Sequence, residues 1–418
     1  MRTLPLASLL APALFAGACS STPSDPYLVA SDLPRDTSPS VPAADLATLV
    51  ADNTAFAIDL YHQVRGEPGN LFMSPHSIST ALAMTYAGAA GSTADEMAAT
   101  LRFTLPEERL HAALNALDLA LASRAEAASG DTIPFRLRTA NSIWGQEGAT
   151  FLDPFLDTLA VNYGAGLRVL DFAADPEAAR GTINGWVEDQ TNDKIRELLP
   201  EDSIKRDTRL VLTNAIYFSA AWAEPFDASD TRDETFQTAG GAIQTPTLHG
   251  SPEAGYAAGD GWRAVELPYD GGQLGMTIIV PEDLAAFEAS LDAAALAAIT
   301  SALTPHVVTL ALPKFEFDAP LSLAATLQEL GMPTAFTEAA DFSRIDGTRS
   351  LAISDVLHKG FVSIDEQGTE AAAATGVIIG PTSTPPLAEL AVDRPFVFLI
   401  RDRPTGATLF LGRVVDPR

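Results

Sequence analysis

His358–Thr384 reads HKGFVSIDEQGTEAAAATGVIIGPTST. It opens on an alternating strand, Phe361–Ile364, runs through Glu366–Thr369 into four alanines, and ends in a Gly/Pro/Ser/Thr segment. Two local readings are open. As a helix, Thr369 caps Glu370–Thr375 and Gly376 stops it. As a strand, Thr369, Ala371, Ala373, Thr375, Val377 and Ile379 share one small or apolar face and Glu370 falls on the other. A segment compatible with both states is what a bistable loop requires.

Working outward, three further blocks stand out. They are Asn70–Ala83 (NLFMSPHSISTALA), Asn214–Phe226 (NAIYFSAAWAEPF) and Asp393–Pro417 (DRPFVFLIRDRPTGATLFLGRVVDP). With HKGFVSIDEQGTEAAAATG they occur in the order and spacing of the serpins, and the resemblance covers nearly everything from residue 46 on. It implies the serpin fold: an α+β domain with a large central, mostly antiparallel sheet, further sheets, eight or nine helices and an exposed reactive-centre loop. Independently, helical patterns early and strands late argue for α+β. Asp45 reads as the cap of a helix carrying Leu46, Leu49, Val50, Ala57, Leu60 and Val64, and Thr93–Glu96 as a capping box. Arg209–Phe218 is a nearly unbroken apolar run, expected to be a strand buried on both faces.

The chain has 418 residues, 47% of them hydrophobic, and a formal net charge of -28. That charge argues against nucleic acid or an anionic membrane as electrostatic partner. Met1–Thr3 carries one cation, Leu4–Phe15 is apolar, and Ala16-Gly17-Ala18 precedes Cys19. Residues 1–18 thus read as a signal peptide, and Cys19 as the lipidated residue of a lipobox, with Ala16 where leucine is usual. The other reading is ordinary cleavage near Ala18. A lipid-anchored flexible linker is expected over 19–45 and the serpin domain over 46–418. With Ser20 after Cys19, an outer-membrane lipoprotein facing the periplasm or the surface is expected; secretion is the alternative. The lone cysteine rules out an internal disulfide.

Catalytic chemistry finds no support. There is no G-x-S-x-G or S-x-x-K motif, and the six histidines lack metal-ligand spacing. No enzyme activity, metal or cofactor is expected.

The resemblance assigns roles to particular residues. Ser74, Ser77, Asn214 and His358 fall in the family's shutter, where the central sheet parts, and Trp222 in its breach. Glu366, Gly368, Thr369, Glu370, Ala371, Ala372, Ala373, Ala374 and Thr375 form the hinge, and Thr382–Ser383 the reactive bond. A serpin inhibitor is a suicide substrate: a serine protease acylates itself on the loop, which inserts into the sheet and carries the enzyme along. The hinge has no charged or bulky residue on its inward face, as an inhibitor requires. A non-inhibitory serpin, acting as carrier, chaperone or structural lipoprotein, is the second reading. The resemblance implies a monomer, with a membrane met only through the lipid. Thr382 suits elastase-like and then subtilisin-like pockets.

Overall fold

The computed structural model describes residues 25–128, 135–369 and 385–418. The chain order is β1 (Leu28–Val29), α1 (Ala43–Val64), β2 (Leu71–Met73), α2 (Pro75–Tyr86), α3 (Gly91–Thr100), α4 (Glu107–Ala122) and α5 (Arg124–Ala127). Then come β3 (Arg136–Gln146), α6 (Asp153–Tyr163), β4 (Leu167–Leu170), α7 (Pro176–Gln190) and β5 (Leu210–Ala221). A strand-rich stretch follows: β6 (Arg232–Thr238), β7 (Gly241–Gly250), β8 (Glu253–Gly259), β9 (Trp262–Pro268) and β10 (Leu274–Pro281). After α8 (Leu284–Ser290) and α9 (Ala293–Ala302) lie β11 (Thr304–Pro313), β12 (Phe315–Ser322), α10 (Ala324–Leu330) and α11 (Ser343–Asp346). The last strands are β13 (Asp355–Ile364), β14 (Gly368–Thr369), β15 (Leu387–Ala391), β16 (Phe396–Asp402) and β17 (Thr408–Val414). Two of the eleven described α-helices, α5 and α11, have only four residues; the other nine match the expected number.

A seven-stranded sheet runs β1-β4-β3-β5-β14-β13-β12, and a ten-stranded sheet contains β2, β17, β16, β10, β9, β8, β11, β7 and β6, with β15 on β11. All twelve residues of β5 are buried, as its apolar run predicts. The cause is two-sided cover. Leu210, Leu212, Ile216, Phe218 and Ala220 enter the main core, whereas Val211 and Ala215 pack with Ile183 and Val187 of α7 on the other face. Each large apolar side chain so enclosed contributes about 1.5–3 kcal/mol.

Four local expectations are corrected. Asp45 does not cap α1, which starts two residues earlier; it is buried and held by Arg109 at 2.7 Å. Thr93 and Glu96 form no capping box, because α3 starts at Gly91. Instead Thr93 Oγ1 accepts from the Asp341 amide (2.9 Å), and Glu96 accepts from the amide and hydroxyl of Thr334 (2.9 and 2.6 Å). Leu284–Ala298, whose sequence reads as one helix, forms two, α8 and α9, since Asp292 caps a new helix by accepting from Ala295 N–H.

The fourth correction concerns the linker. From Asp25 on it is docked and not free. Leu28 and Val29 pair with Arg168 and Leu167 at the sheet edge. Asp25 binds Arg168 (2.9 Å), Ser31 donates to Asp157 (2.5 Å), and Arg35 reaches Asn115 (2.9 Å) and Asp118 (2.6 Å). Scattered polar anchors hold this strap, so composition without apolar periodicity gave no sign of it. The signal peptide and Cys19 lie outside the described residues.

Candidate functional site

β5 and β13 run parallel, paired from Val211–Asp355 to Tyr217–Phe361. Above Phe361 the pairing is split. After Ile364 the chain turns back, with the Asp365 side chain accepting from the amides of Gln367 (2.8 Å) and Gly368 (3.2 Å). β14 then enters the gap antiparallel to both neighbours, Gly368 opposite Ala221 and Thr369 opposite Ala220 and Ile364. Only glycine fits at 368, since a Cβ there would sit 2.2 Å from the Ala220 carbonyl oxygen. Thr369 is buried, and its Oγ1 lies 2.7 Å from the Tyr269 hydroxyl. Burial pushes the Tyr269 phenol well above its ordinary pKa, so it stays neutral. Thr369, read from sequence as a residue awaiting insertion, is already in the sheet.

The turn is clamped from below. Trp222 donates its amide to Gln367 O (2.8 Å) and its indole N–H to Asp365 O (3.0 Å), and stacks on Tyr269 with centroids 4.7 Å apart. Glu366 accepts from Lys314 Nζ (2.8 Å) and Thr231 Oγ1 (2.7 Å). Burial opposes ionisation of Glu366, yet these two donors outweigh it and hold its pKa below the usual value.

Further down the inner face lies the polar cluster. Ser74 caps α2, its Oγ accepting from Ser77 N–H (3.2 Å) and donating to Leu409 O (2.6 Å). The Ser74 amide donates to His358 Nε2 (3.2 Å), which makes that nitrogen the acceptor and puts the imidazole proton on Nδ1. Nδ1–H then donates to Asn214 Oδ1 across the β5–β13 pair. Asn214 Nδ2 donates to Ser77 Oγ (2.7 Å) and Asn141 Oδ1 (2.5 Å). Burial, which penalises the charged ring, lowers the His358 pKa to about 3. Ser74, Ser77, Asn214 and His358 thus converge in one cluster, with Trp222, Glu366, Gly368 and Thr369 at the upper end.

Sequence reading missed Asn141, Tyr269, Lys314 and Thr231. Asn141 carried one signal: it occupies the inward phase of β3 between Leu137 and Ile143, opposite Asn214. Glu370, Ala371, Ala372, Ala373, Ala374, Thr375 and the bond Thr382–Ser383 lie outside the described residues. Among the described residues no group of three His, Cys, Asp or Glu could hold a metal, and no single helix is long and apolar enough to cross a membrane.

The family model for "Serpin (serine protease inhibitor)" matches residues 51–417. The chain belongs to the serpin family. This serpin is 39% identical over 405 residues to an uncharacterized serpin-like protein of Thermococcus kodakarensis, covering 95% of this chain and 92% of the relative. It is 37% identical over 383 residues to the leukocyte elastase inhibitor of Bos taurus, covering 88% and 99%. Among solved structures, the native state of tengpin, a thermophilic serpin, superposes with a TM-score of 0.80 at 27% identity, covering 92% and 97%. The serpin fold expected from the sequence is therefore the fold of this protein.

Proposed function

We propose that this serpin inhibits serine proteases as a suicide substrate. The observation that carries the reading is a parallel strand pair with an antiparallel strand already started inside it. Carried on in register, Glu370–Ile378 come opposite Ser219–Val211 on one side and Ser363–Asp355 on the other. The two registers close on each other, because Ile378 meets Val211 and Asp355, which are now each other's partners. One parallel ladder becomes two antiparallel ones, the more stable pairing per residue. Nine residues advance the strand by about 30 Å.

The residue types fit this track. Thr369 faces the inner core, and in the extrapolated register Ala371, Ala373, Thr375 and Val377 would share its face. Ala374 and Gly376 would take the outer rows of Ala215 and Leu357, on the face that packs with Ile183 and Val187 of α7. Attack of the protease serine on the Thr382 carbonyl releases the Ser383 amine and leaves the acyl-enzyme on the freed strand. Inhibition requires insertion to outrun deacylation.

The test is to cut the loop with a non-target protease and remelt the protein. The cleaved form should unfold at a markedly higher temperature than the intact form, and equal melting temperatures would defeat the mechanism.

The elastase-like target, with subtilisin-like enzymes second, and the lipid anchor at Cys19 belong to this proposal. With the strap docked, only five residues separate Cys19 from Asp25, six Cα-to-Cα steps with a reach of at most about 21 Å. Cys19→Ser should move the protein from the outer-membrane to the soluble fraction; a wild type already soluble would refute the anchor.

A further inference from the structure

One cross-strand row ties the N-terminal strap to the end of the insertion track. Leu28 of β1 faces Arg168, Arg168 faces Trp144, Trp144 faces Val211, and Val211 faces Asp355. The extrapolated register ends there, with Ile378 entering between Val211 and Asp355. The strap therefore marks the pole at which insertion finishes, opposite the pole where β14 begins it.

We propose that the strap forms part of the surface on which the translocated protease rests. The inference depends on the inhibitor reading above. Thr382 follows Ile378 by four residues, so the acylated serine is held within about 14 Å of this row. From the inserted strand to β1 is four strand spacings, about 19 Å. A protease domain of about 230 residues has a radius of gyration near 17 Å, and its surface reaches beyond that. An enzyme held so close covers the strap.

The surface chemistry points the same way. The described residues leave five large apolar side chains exposed, and three are on the strap: Tyr27 at 39%, Leu28 at 41% and Leu33 at 49%. They stand on a segment fixed by Asp25–Arg168, Ser31–Asp157 and Arg35–Asp118. Three apolar groups on a rigid support suit a protein partner. The committed partner is the acylated serine protease.

The experiment is hydrogen exchange read by mass spectrometry over residues 25–36 of the full mature chain. Three samples are compared: intact protein, protein cut in the loop by a non-target protease, and the isolated covalent complex with an elastase. Exchange at the strap should slow at least several-fold in the complex relative to the loop-cut form, which carries the same expanded sheet without the enzyme. Equal exchange in those two samples overturns the proposal while leaving the inhibitor reading intact. Failure to form any covalent complex with a serine protease overturns the inhibitor reading, and the docking surface with it.

Discussion

His358 Nδ1 and Asn214 Oδ1 hydrogen-bond across the two parallel strands that the proposed insertion would separate, and the Ser74 amide fixes the tautomer of the buried, neutral imidazole. The folded chain binds a proton at His358 only near pH 3, whereas an unfolded histidine titrates near 6.5. Between those values the unfolded state holds the extra proton, so stability falls as pH drops from about 6.5 toward 3. Buried His111, lowered to about 4, acts in the same direction. Melting temperature measured from pH 7 to 4 should fall. His358→Gln, which keeps one donor and one acceptor without titrating, should flatten that dependence; an undiminished slope would place the acid sensitivity elsewhere.

In the register of the proposed insertion, Thr375 would come between His358 and Asn214. Its hydroxyl can donate to one and accept from the other, replacing the bond the strand breaks. Thr375→Val leaves buried polar groups unpaired, at about 1–3 kcal/mol each. The intact protein should melt as the wild type does, while the loop-cleaved form should lose several degrees. Calorimetry on both forms decides it.

Thr369 and Gly368 hold β14 in place by different means. Thr369→Arg forces a charge into the site beside Tyr269, and Gly368→Ala drives a methyl into the Ala220 carbonyl. Both should expel β14. Thr369→Arg should be cut at the wild-type bond without retaining the protease, as electrophoresis in denaturant will show. Thr369→Val, which loses only the Tyr269 hydrogen bond at about 1 kcal/mol, should still form the complex.

Much of this site was legible from the chain itself. The apolar run at Arg209–Phe218 announced a doubly covered strand, which β5 is. What stayed hidden depends on partners far apart in sequence. Asn141 meets Asn214 only because β3 lies antiparallel to β5, and Tyr269 meets Thr369 through the second sheet. Lys314 reaches Glu366 from the single residue that joins β11 to β12, with no local motif to mark it. The strap was misread because single anchors such as Arg35 and Ser31 produce no periodicity.

Lys314→Met removes the cation from a carboxylate whose side chain is only 13% exposed. Glu366 keeps Thr231 but loses its stronger donor, so stability should fall by roughly 1–2 kcal/mol. Urea unfolding at low and high salt is the check. The difference from wild type should narrow with salt, because screening weakens the ion pair it measures.

Target class follows from composition at the loop. No Lys or Arg occurs between Lys359 and Arg394, and Thr382 offers neither a cation nor an aromatic ring to a primary pocket. A denaturant-resistant complex is expected with an elastase and none with trypsin. A trypsin complex without an elastase complex would refute both the bond assignment and the pocket argument.

β14 also settles which kinds of loop variation evolution can use. Surface loops ordinarily accept insertions and deletions more readily than the elements they join. Here Gly368 and Thr369 peg the strand's phase before any protease arrives. One residue added between Glu370 and Ile378 would turn every later side chain over, sending inward those meant for the α7 face. For a loop that inserts as proposed, drift on this stretch is confined to exchanges of like-sized residues at constant length. Beyond Ile378 that parity no longer binds, and there lineages remain free to lengthen the segment and retune the target.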